Sequence, residues 1–237
     1  TIDFDVTALD FTSLATVKII GDAGGDDTIT IDSSNVSADS IHGDTGTDTL
    51  VVSESMDISG IAITSIEKYI SDGGTLSVDG NDLHLNTLIL DTTNNSHITI
   101  NDATGSTYGG LTFTSDDATT NLNFNAAGVG GTLDISTITT AGFSGEIFVT
   151  GDTGADILNV SSYVETIDGG GGNDTISINH SGDSIIGGAG SDTLNIDSDG
   201  AVYERIDTIE ILNINGTVDL SNKIDNNTDG IKVLTSK

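Results

Sequence analysis

Short runs of alternating apolar and polar residues recur along this chain. Ile2-Asp3-Phe4-Asp5-Val6 and Thr16-Val17-Lys18-Ile19-Ile20 open it. Between 52 and 148 the same texture returns in Ile61-Ala62-Ile63, Leu76-Ser77-Val78, Leu83-His84-Leu85, Leu88-Ile89-Leu90, Ile98-Thr99-Ile100, Leu111-Thr112-Phe113, Leu122-Asn123-Phe124 and Leu133-Asp134-Ile135. A period of two puts successive side chains on opposite faces of a strand, so each run predicts a short strand with one buried face. Asn, Asp, Gly and Ser fill the links, as turns require. Leu111, Leu122 and Leu133 recur every eleven residues. The pattern predicts an all-β chain, either a parallel β-solenoid with irregular coils or a β-sandwich.

From Gly151 to Ile196 the rhythm is stricter. Gly-Asp-Thr-Gly-Ala-Asp-Ile-Leu-Asn at 151–159, Gly-Gly-Gly-Gly-Asn-Asp-Thr-Ile-Ser at 169–177 and Gly-Gly-Ala-Gly-Ser-Asp-Thr-Leu-Asn at 187–195 start 18 residues apart, twice nine. The blocks between them keep phase: Glu165 and Asp183 stand where Asp156, Asp174 and Asp192 stand, and Ile167 and Ile185 where Leu158, Ile176 and Leu194 stand. Earlier in the chain, Gly43-Asp44-Thr45-Gly46-Thr47-Asp48-Thr49-Leu50-Val51 is a sound match. Gly21-Asp22-Ala23-Gly24-Gly25-Asp26-Asp27-Thr28-Ile29 has one residue too many, so either Asp26 or Asp27 takes the Asp position. Gly21 and Gly43 lie 22 residues apart, which implies an insertion between the two loops.

The repeat Gly-Gly-x-Gly-x-Asp-x-(apolar)-x resembles the calcium-binding nonapeptide of bacterial RTX-type secreted proteins, among them surface-layer proteins and large adhesins. The resemblance is specific at 151–195, good at 43–51 and one of texture elsewhere. It implies a parallel β-roll in which each nonapeptide is half a coil, six residues of turn and three of strand. Glycine supplies backbone angles that a Cβ forbids, and the turn's carbonyls and its Asp carboxylate converge on Ca²⁺, which takes six to eight oxygens. Residues 18 apart then stack. The implied calcium-lining residues are Gly151, Thr153, Ala155 and Asp156; Gly169, Gly171, Asn173 and Asp174; Gly187, Ala189, Ser191 and Asp192; Gly43, Thr45, Thr47 and Asp48; and Gly21 with Asp26 or Asp27. Three stacked loops imply about two ions. The strongest site is expected between the loops at 169–174 and 187–192, because the blocks at 43 and 151 carry Asp44 and Asp152 in place of the second glycine. The opposite edge, Val160 to Tyr163 and Ile178 to Gly182, lacks the glycines, so Glu165 and Asp183 are expected to be solvated turn residues.

A coarse duplication accompanies the glycine blocks. Ser65-Ile66-Glu67-Lys68-Tyr69-Ile70 follows one and Thr208-Ile209-Glu210-Ile211-Leu212 follows the other, leading to Thr75-Leu76-Ser77-Val78 and Thr217-Val218-Asp219-Leu220. This predicts a solenoid unit at 1–82 with two repeats, a solenoid stretch without calcium loops at 83–148, and a β-roll unit at 149–237 with three repeats. No Pro interrupts the strands, where every amide hydrogen is wanted.

Composition narrows the function. The chain carries 37 acidic and six basic residues, a formal charge of −31, which opposes compaction unless cations neutralise it. That balance argues against nucleic acid, whose phosphates need Lys and Arg. The 35% hydrophobic content, in periodic Ile, Leu and Val, supports a buried core rather than disorder. There is no Cys, hence no disulfide, thiolate ligand or Cys nucleophile. No apolar run is long enough to span a membrane. Thr1 opens mid-pattern with no signal peptide, so the chain reads as a segment of a longer protein. His42, His84, His97 and His180 are scattered, and His84 is expected to face outward. A polysaccharide-active β-helix is the enzyme alternative, but no basic cluster is present to hold an acidic sugar. The expectation is a non-enzymatic, calcium-stabilised segment of an extracellular bacterial surface protein, in a lattice or in an adhesin stalk. Its expected partners are calcium, copies of the parent protein and cell-surface polysaccharide. The resemblance implies type I secretion, with the export signal at the C-terminus of the full protein; Ile231 to Lys237 carries no convincing one.

Overall fold

In the computed structural model the described residues are 3–5, 18–33, 40–79, 83, 89–93, 96–101, 106–107, 112–115, 121–126, 130–141, 143, 145–163, 165–197, 201–203, 205–216, 218–220, 224–225 and 232–235. Every named element among them is a β-strand, and the described strand pairs are parallel. Parallel pairing of consecutive coils makes this a β-solenoid and excludes the β-sandwich, whose hairpins pair strands antiparallel.

The chain forms two compact units. One comprises Thr1–Ile100, Gly110–Leu122 and Thr139–Gly145; the other comprises Asn101–Gly109, Asn123–Ile138 and Glu146–Lys237. In the first unit a seven-stranded sheet runs Asp3–Asp5, Thr28–Ile31, Thr49–Val52, Lys68–Asp72, Ile89–Thr93, Thr112–Ser115, Thr139–Ala141. A three-stranded sheet of Lys18–Ile20, Ser40–His42 and Ala62–Thr64 forms a second wall. Strict alternation puts one side chain per coil at each interior level: Ile29, Leu50, Tyr69, Leu90 and Phe113 stack in register and are all buried. The coils are not uniform. Thr28 pairs with Thr49, Thr49 with Lys68, and Ile89 with Thr112.

The second unit is more regular. Its seven-stranded sheet runs Ser106–Thr107, Thr132–Asp134, Ile157–Asn159, Thr175–Ile178, Thr193–Ile196, Ile211–Ile214, Lys232–Thr235. Thr175 pairs with Thr193 and Thr193 with Ile211, so the coil here is the 18 residues that the repeat spacing predicts. Leu158, Ile176, Leu194 and Leu212 stack inside, fully buried. The facing wall contains Glu146–Thr150, Glu165–Asp168, Ser184–Ile186, Arg205–Asp207 and Ile224–Asp225, and its Val149, Ile167, Ile185 and Ile206 close the core. Each fully buried aliphatic side chain contributes about 1.5–3 kcal/mol, so stacked apolar columns are the main source of cohesion in both units. Outside, stacked amides bind along the sheet: Asn213 Nδ2 donates to Asn195 Oδ1 at 2.7 Å.

The strands expected at Leu83-His84-Leu85 and at Leu111 fall partly outside the described residues, as does His84 itself. Leu122 and Leu133 are both buried.

Candidate metal centre

The glycine loops lie between walls, at one edge of each unit, and they stack. In the second unit the loops at 151, 169 and 187 are locked together by backbone bonds: Gly171 N donates to Asp152 O, Ala189 N to Gly170 O, and Gly172 N to Ala189 O, at 2.7–2.9 Å. Gly171 and Ala189 form a parallel bridge, as do Ala23 and Thr45 in the first unit. Asn173 Oδ1 accepts from Ser191 N at 2.9 Å. Thr153 lies under Gly171, whose Cβ would meet its Cα at 3.8 Å, and Ala155 packs against Gly130.

Under each loop runs a column of carboxylates. Asp156 N donates to Asp174 Oδ1, Asp174 N to Asp192 Oδ1, both at 2.8 Å, and Asp192 N to Glu210 Oε2 at 2.7 Å. In the first unit Asp27 N donates to Asp48 Oδ1 at 2.8 Å and Asp48 N to Glu67 Oε2 at 2.7 Å. Asp27, Asp48, Asp156, Asp174 and Asp192 are all 2% exposed or less. The two candidates at 26 and 27 therefore part company: Asp27 stands in the column, and Asp26 accepts from Thr47 N at 2.9 Å, the place Asn173 holds in its own loop. The extra residue is absorbed inside the loop, since Gly21 and Gly43 are 22 apart while Asp27 and Asp48 are 21 apart.

Asp48, Asp156, Asp174 and Asp192 each have Oδ1 tied to the preceding coil, whereas Asp27 Oδ2 accepts from Asp22 N of its own loop at 2.7 Å. The other oxygen, Oδ2, has no hydrogen-bond partner and is buried at Asp48, Asp174 and Asp192. It points at the first glycine of its own loop. A Cβ at Gly169 would lie 2.7 Å from Asp174 Oδ2 and would collide with Gly187 O; at Gly151 it would lie 2.8 Å from Asp156 Oδ2 and collide with Gly169 O; at Gly21 it would lie 2.7 Å from Asp27 Oδ2 and 2.5 Å from Gly43 O. The first glycine is thus required because a carboxylate and a carbonyl from the next coil converge on it. Asp156 differs, with Oδ1 accepting from Gly131 N and Oδ2 from Asp152 N.

Unpaired buried carboxylates are costly in the charged form. Burial is the main cause that raises the Asp174 carboxyl to about 6, with neighbouring Asp192, Asp156 and Asp152 adding to it against the Asp156 amide bond. Burial likewise raises Asp48 and Asp192, helped by Glu67 and Glu210 respectively. Crowded acids of this kind, each with an unused oxygen beside backbone carbonyls, fit a hard cation that takes oxygen ligands. Among the described residues no three His, Cys, Asp or Glu side chains gather into one metal-binding cluster.

Sequence reasoning passed over three carboxylates. Asp152, treated as a departure from glycine, has a buried, unpartnered Oδ2. Glu67 and Glu210 end the two columns. Their signal was the duplicated Ile-Glu pair, one coil beyond the last loop.

The opposite edge corrects one expectation. Glu165 and Asp183 are not solvated; they are 2% and 0% exposed. They repeat the column bond, Glu165 N donating to Asp183 Oδ1 at 3.0 Å. Ser161 Oγ donates to Glu165 Oε1, and the Ser161 amide does so at 3.1 Å. Burial pushes Glu165 up to about 8 and Asp183 up to about 7, and it pushes the nearby Tyr203 hydroxyl up to about 12. A loop without glycines still turns inward here: Ser161 holds Glu165 Oε1, while Glu165 Oε2 and Asp183 Oδ2 are buried without a hydrogen-bond partner, as on the glycine edge.

No helix among the described residues is long and apolar enough to cross a membrane. No protein-family model matches the chain. No curated protein matches it, and no solved structure does.

Proposed function

We propose that this chain is a calcium-stabilised structural segment of an extracellular bacterial surface protein, built for a surface-layer lattice. The observation that carries the calcium reading is the stacked carboxylate column, whose buried Oδ2 atoms at Asp48, Asp174 and Asp192 lack partners and face glycines crowded by carbonyls. Asp27, Asp48, Asp156, Asp174 and Asp192 are the proposed carboxylate ligands, with Gly43, Gly169 and Gly187 offering carbonyls. The lattice role rests on the RTX-like nonapeptides, the absence of Cys and the charge of −31.

Folding should depend on the ion. A ligand bound only by the folded state stabilises it by about 2.7 kcal/mol per site at a hundredfold excess over its dissociation constant. Extracellular modules bind in the range of about 10⁻⁴–10⁻³ M, so the chain stays loose in a calcium-poor cytosol and folds outside. Circular dichroism during a calcium titration tests this: β signal and melting temperature rise with calcium and fall with chelator. A spectrum and melting temperature indifferent to chelator overturn the reading. Electron microscopy of the calcium-loaded protein tests the lattice. Two-dimensional sheets support it, whereas chains that stay single point to the stalk of an adhesin.

A further inference from the structure

Each carboxylate column ends on the same three-residue segment, Ser65-Ile66-Glu67 in one unit and Thr208-Ile209-Glu210 in the other. Ser65 and Thr208 take φ of 54° and 51°, a left-handed backbone that residues with a Cβ rarely adopt. The turn aims each carbonyl at the last glycine loop. A Cβ at Gly187 would collide with Thr208 O, and one at Gly43 with Ser65 O, in the position where Gly187 O faces Gly169. Ile66 and Ile209 are buried and anchor the segment in the core. Two residues after the carbonyl comes the carboxylate, which accepts the amide of Asp48 or Asp192 as the next column Asp would.

A glycine loop places its Asp five residues after its first carbonyl; these segments place their Glu two residues after it. Glutamate's extra methylene makes up the reach, which explains Glu rather than Asp at both ends. Facing each segment is a buried carboxylate oxygen with no partner, Asp48 Oδ2 or Asp192 Oδ2, which a Cβ at Gly43 or Gly187 would meet at 2.6 or 2.8 Å.

We infer that Ser65-Ile66-Glu67 and Thr208-Ile209-Glu210 are terminal half-sites, each closing one more calcium site against the last glycine loop, with Glu67 and Glu210 as ligating carboxylates and Ser65 and Thr208 as carbonyl donors. The inference rests on the calcium reading. It adds one ion to each column, so that every loop from 43 and from 187 has a partner on its far side. The ends of the columns, where cooperative stacking stops, become binding sites instead of exposed carboxylates.

The test compares the full chain with Glu67→Gln and Glu210→Gln. Glutamine keeps an oxygen for the Asp48 or Asp192 amide and removes only the charge. Calcium bound per chain, counted by equilibrium dialysis, should fall by one in each variant, or the weakest site should lose about tenfold in affinity. Glu146→Gln, an exposed position with the same charge change, should leave the count unaltered. Unchanged count and affinity in both column variants overturn this inference alone. A wild-type chain that binds no calcium overturns the underlying reading as well. If a variant is unfolded at ordinary calcium, raising calcium should refold it; unfolding that calcium cannot reverse marks a purely structural cap and overturns the inference.

Discussion

Gly169 and Gly171 sit two residues apart in one loop, and the repeat code gives them equal weight. The structure does not. A Cβ at Gly169 would strike Gly187 O and approach Asp174 Oδ2 at 2.7 Å, whereas one at Gly171 would find nothing nearer than 3.8 Å. Gly169→Ala should therefore cost about 1–3 kcal/mol by overpacking and weaken calcium binding. Gly171→Ala should change little, within about 0.5 kcal/mol. Denaturant unfolding at saturating calcium reads both, and equal losses would show that the loop tolerates no side chain anywhere. At this scale the sequence was half legible. It named Asp48, Asp156, Asp174 and Asp192 from spacing alone, because nine-residue phase fixes which side chain turns under the loop. It left Asp26 and Asp27 open, since an inserted residue breaks the phase and only the coil's closure decides. It placed Glu165 and Asp183 in solvent, because it judged the turn by its missing glycines and had no means of seeing the Ser161 hydroxyl that receives a buried carboxyl.

At the next scale the carboxylates act in columns rather than singly, each bonded to the coil before it. Asp174 and Asp192 belong to adjacent loops joined by the Asp174 amide, so they should serve a shared ion. Asp174→Ala and Asp192→Ala should each weaken calcium binding, and the double variant should lose little more, as coupled neighbours do. His180→Ala should leave binding alone. Titration calorimetry on the three acid variants decides it; additive losses would mean separate sites. The opposite edge makes a different element, with a pH dependence of definite sign. Glu165 moves from an ordinary 4.5 to about 8 and Asp183 from 3.8 to about 7, burial being the main cause. The folded chain thus holds protons that the unfolded chain has released, and its stability is greatest below the unfolded values and falls as pH rises toward the folded ones. Glu165→Gln should remove part of that slope, gaining on the order of 2 kcal/mol over wild type at about pH 9 and little at about pH 5. Thermal melts at matched, saturating calcium compare the two. Parallel curves would show that Glu165 does not titrate in this range. The elements themselves were legible where glycine fixes the loop. The 18-residue coils at 157–214 follow from the repeat, but the longer coils pairing Ile89 with Thr112 or Thr132 with Ile157 carry no such marker, and only strand alternation announces them.

Charge is the property that belongs to the whole molecule. Thirty-seven acids against six bases leave −31, and a few divalent ions in the loops would neutralise only part of it. The structure accounts for some of the remainder locally. Lys68 Nζ meets Asp91 across one coil at 2.7 Å, and Arg205 pairs with Asp207. Most surface acids have no basic partner to find, because there are so few. Such a surface keeps the chain dispersed by self-repulsion at low calcium. At higher calcium, ions could bridge acidic faces of neighbouring copies; the acidic stretches of the sequence around Asp116 and Asp117, or Asp225 and Asp229, are the candidates, and Asp116, Asp117 and Asp229 lie outside the described residues. Strand edges at the end of a solenoid add a second route, since unpaired amides and carbonyls invite another chain. Both routes predict growth in particle size after folding is complete, at calcium above that which saturates the loops. Light scattering from micromolar to several millimolar calcium, with circular dichroism on the same samples, separates folding from assembly. Monovalent salt distinguishes the routes: raising it to about 1 M, where the screening length is about 3 Å, should dissolve calcium-bridged assemblies and spare edge-paired ones. A particle that stays single throughout the titration would remove bridging for this segment, and with it the argument for a lattice over a stalk.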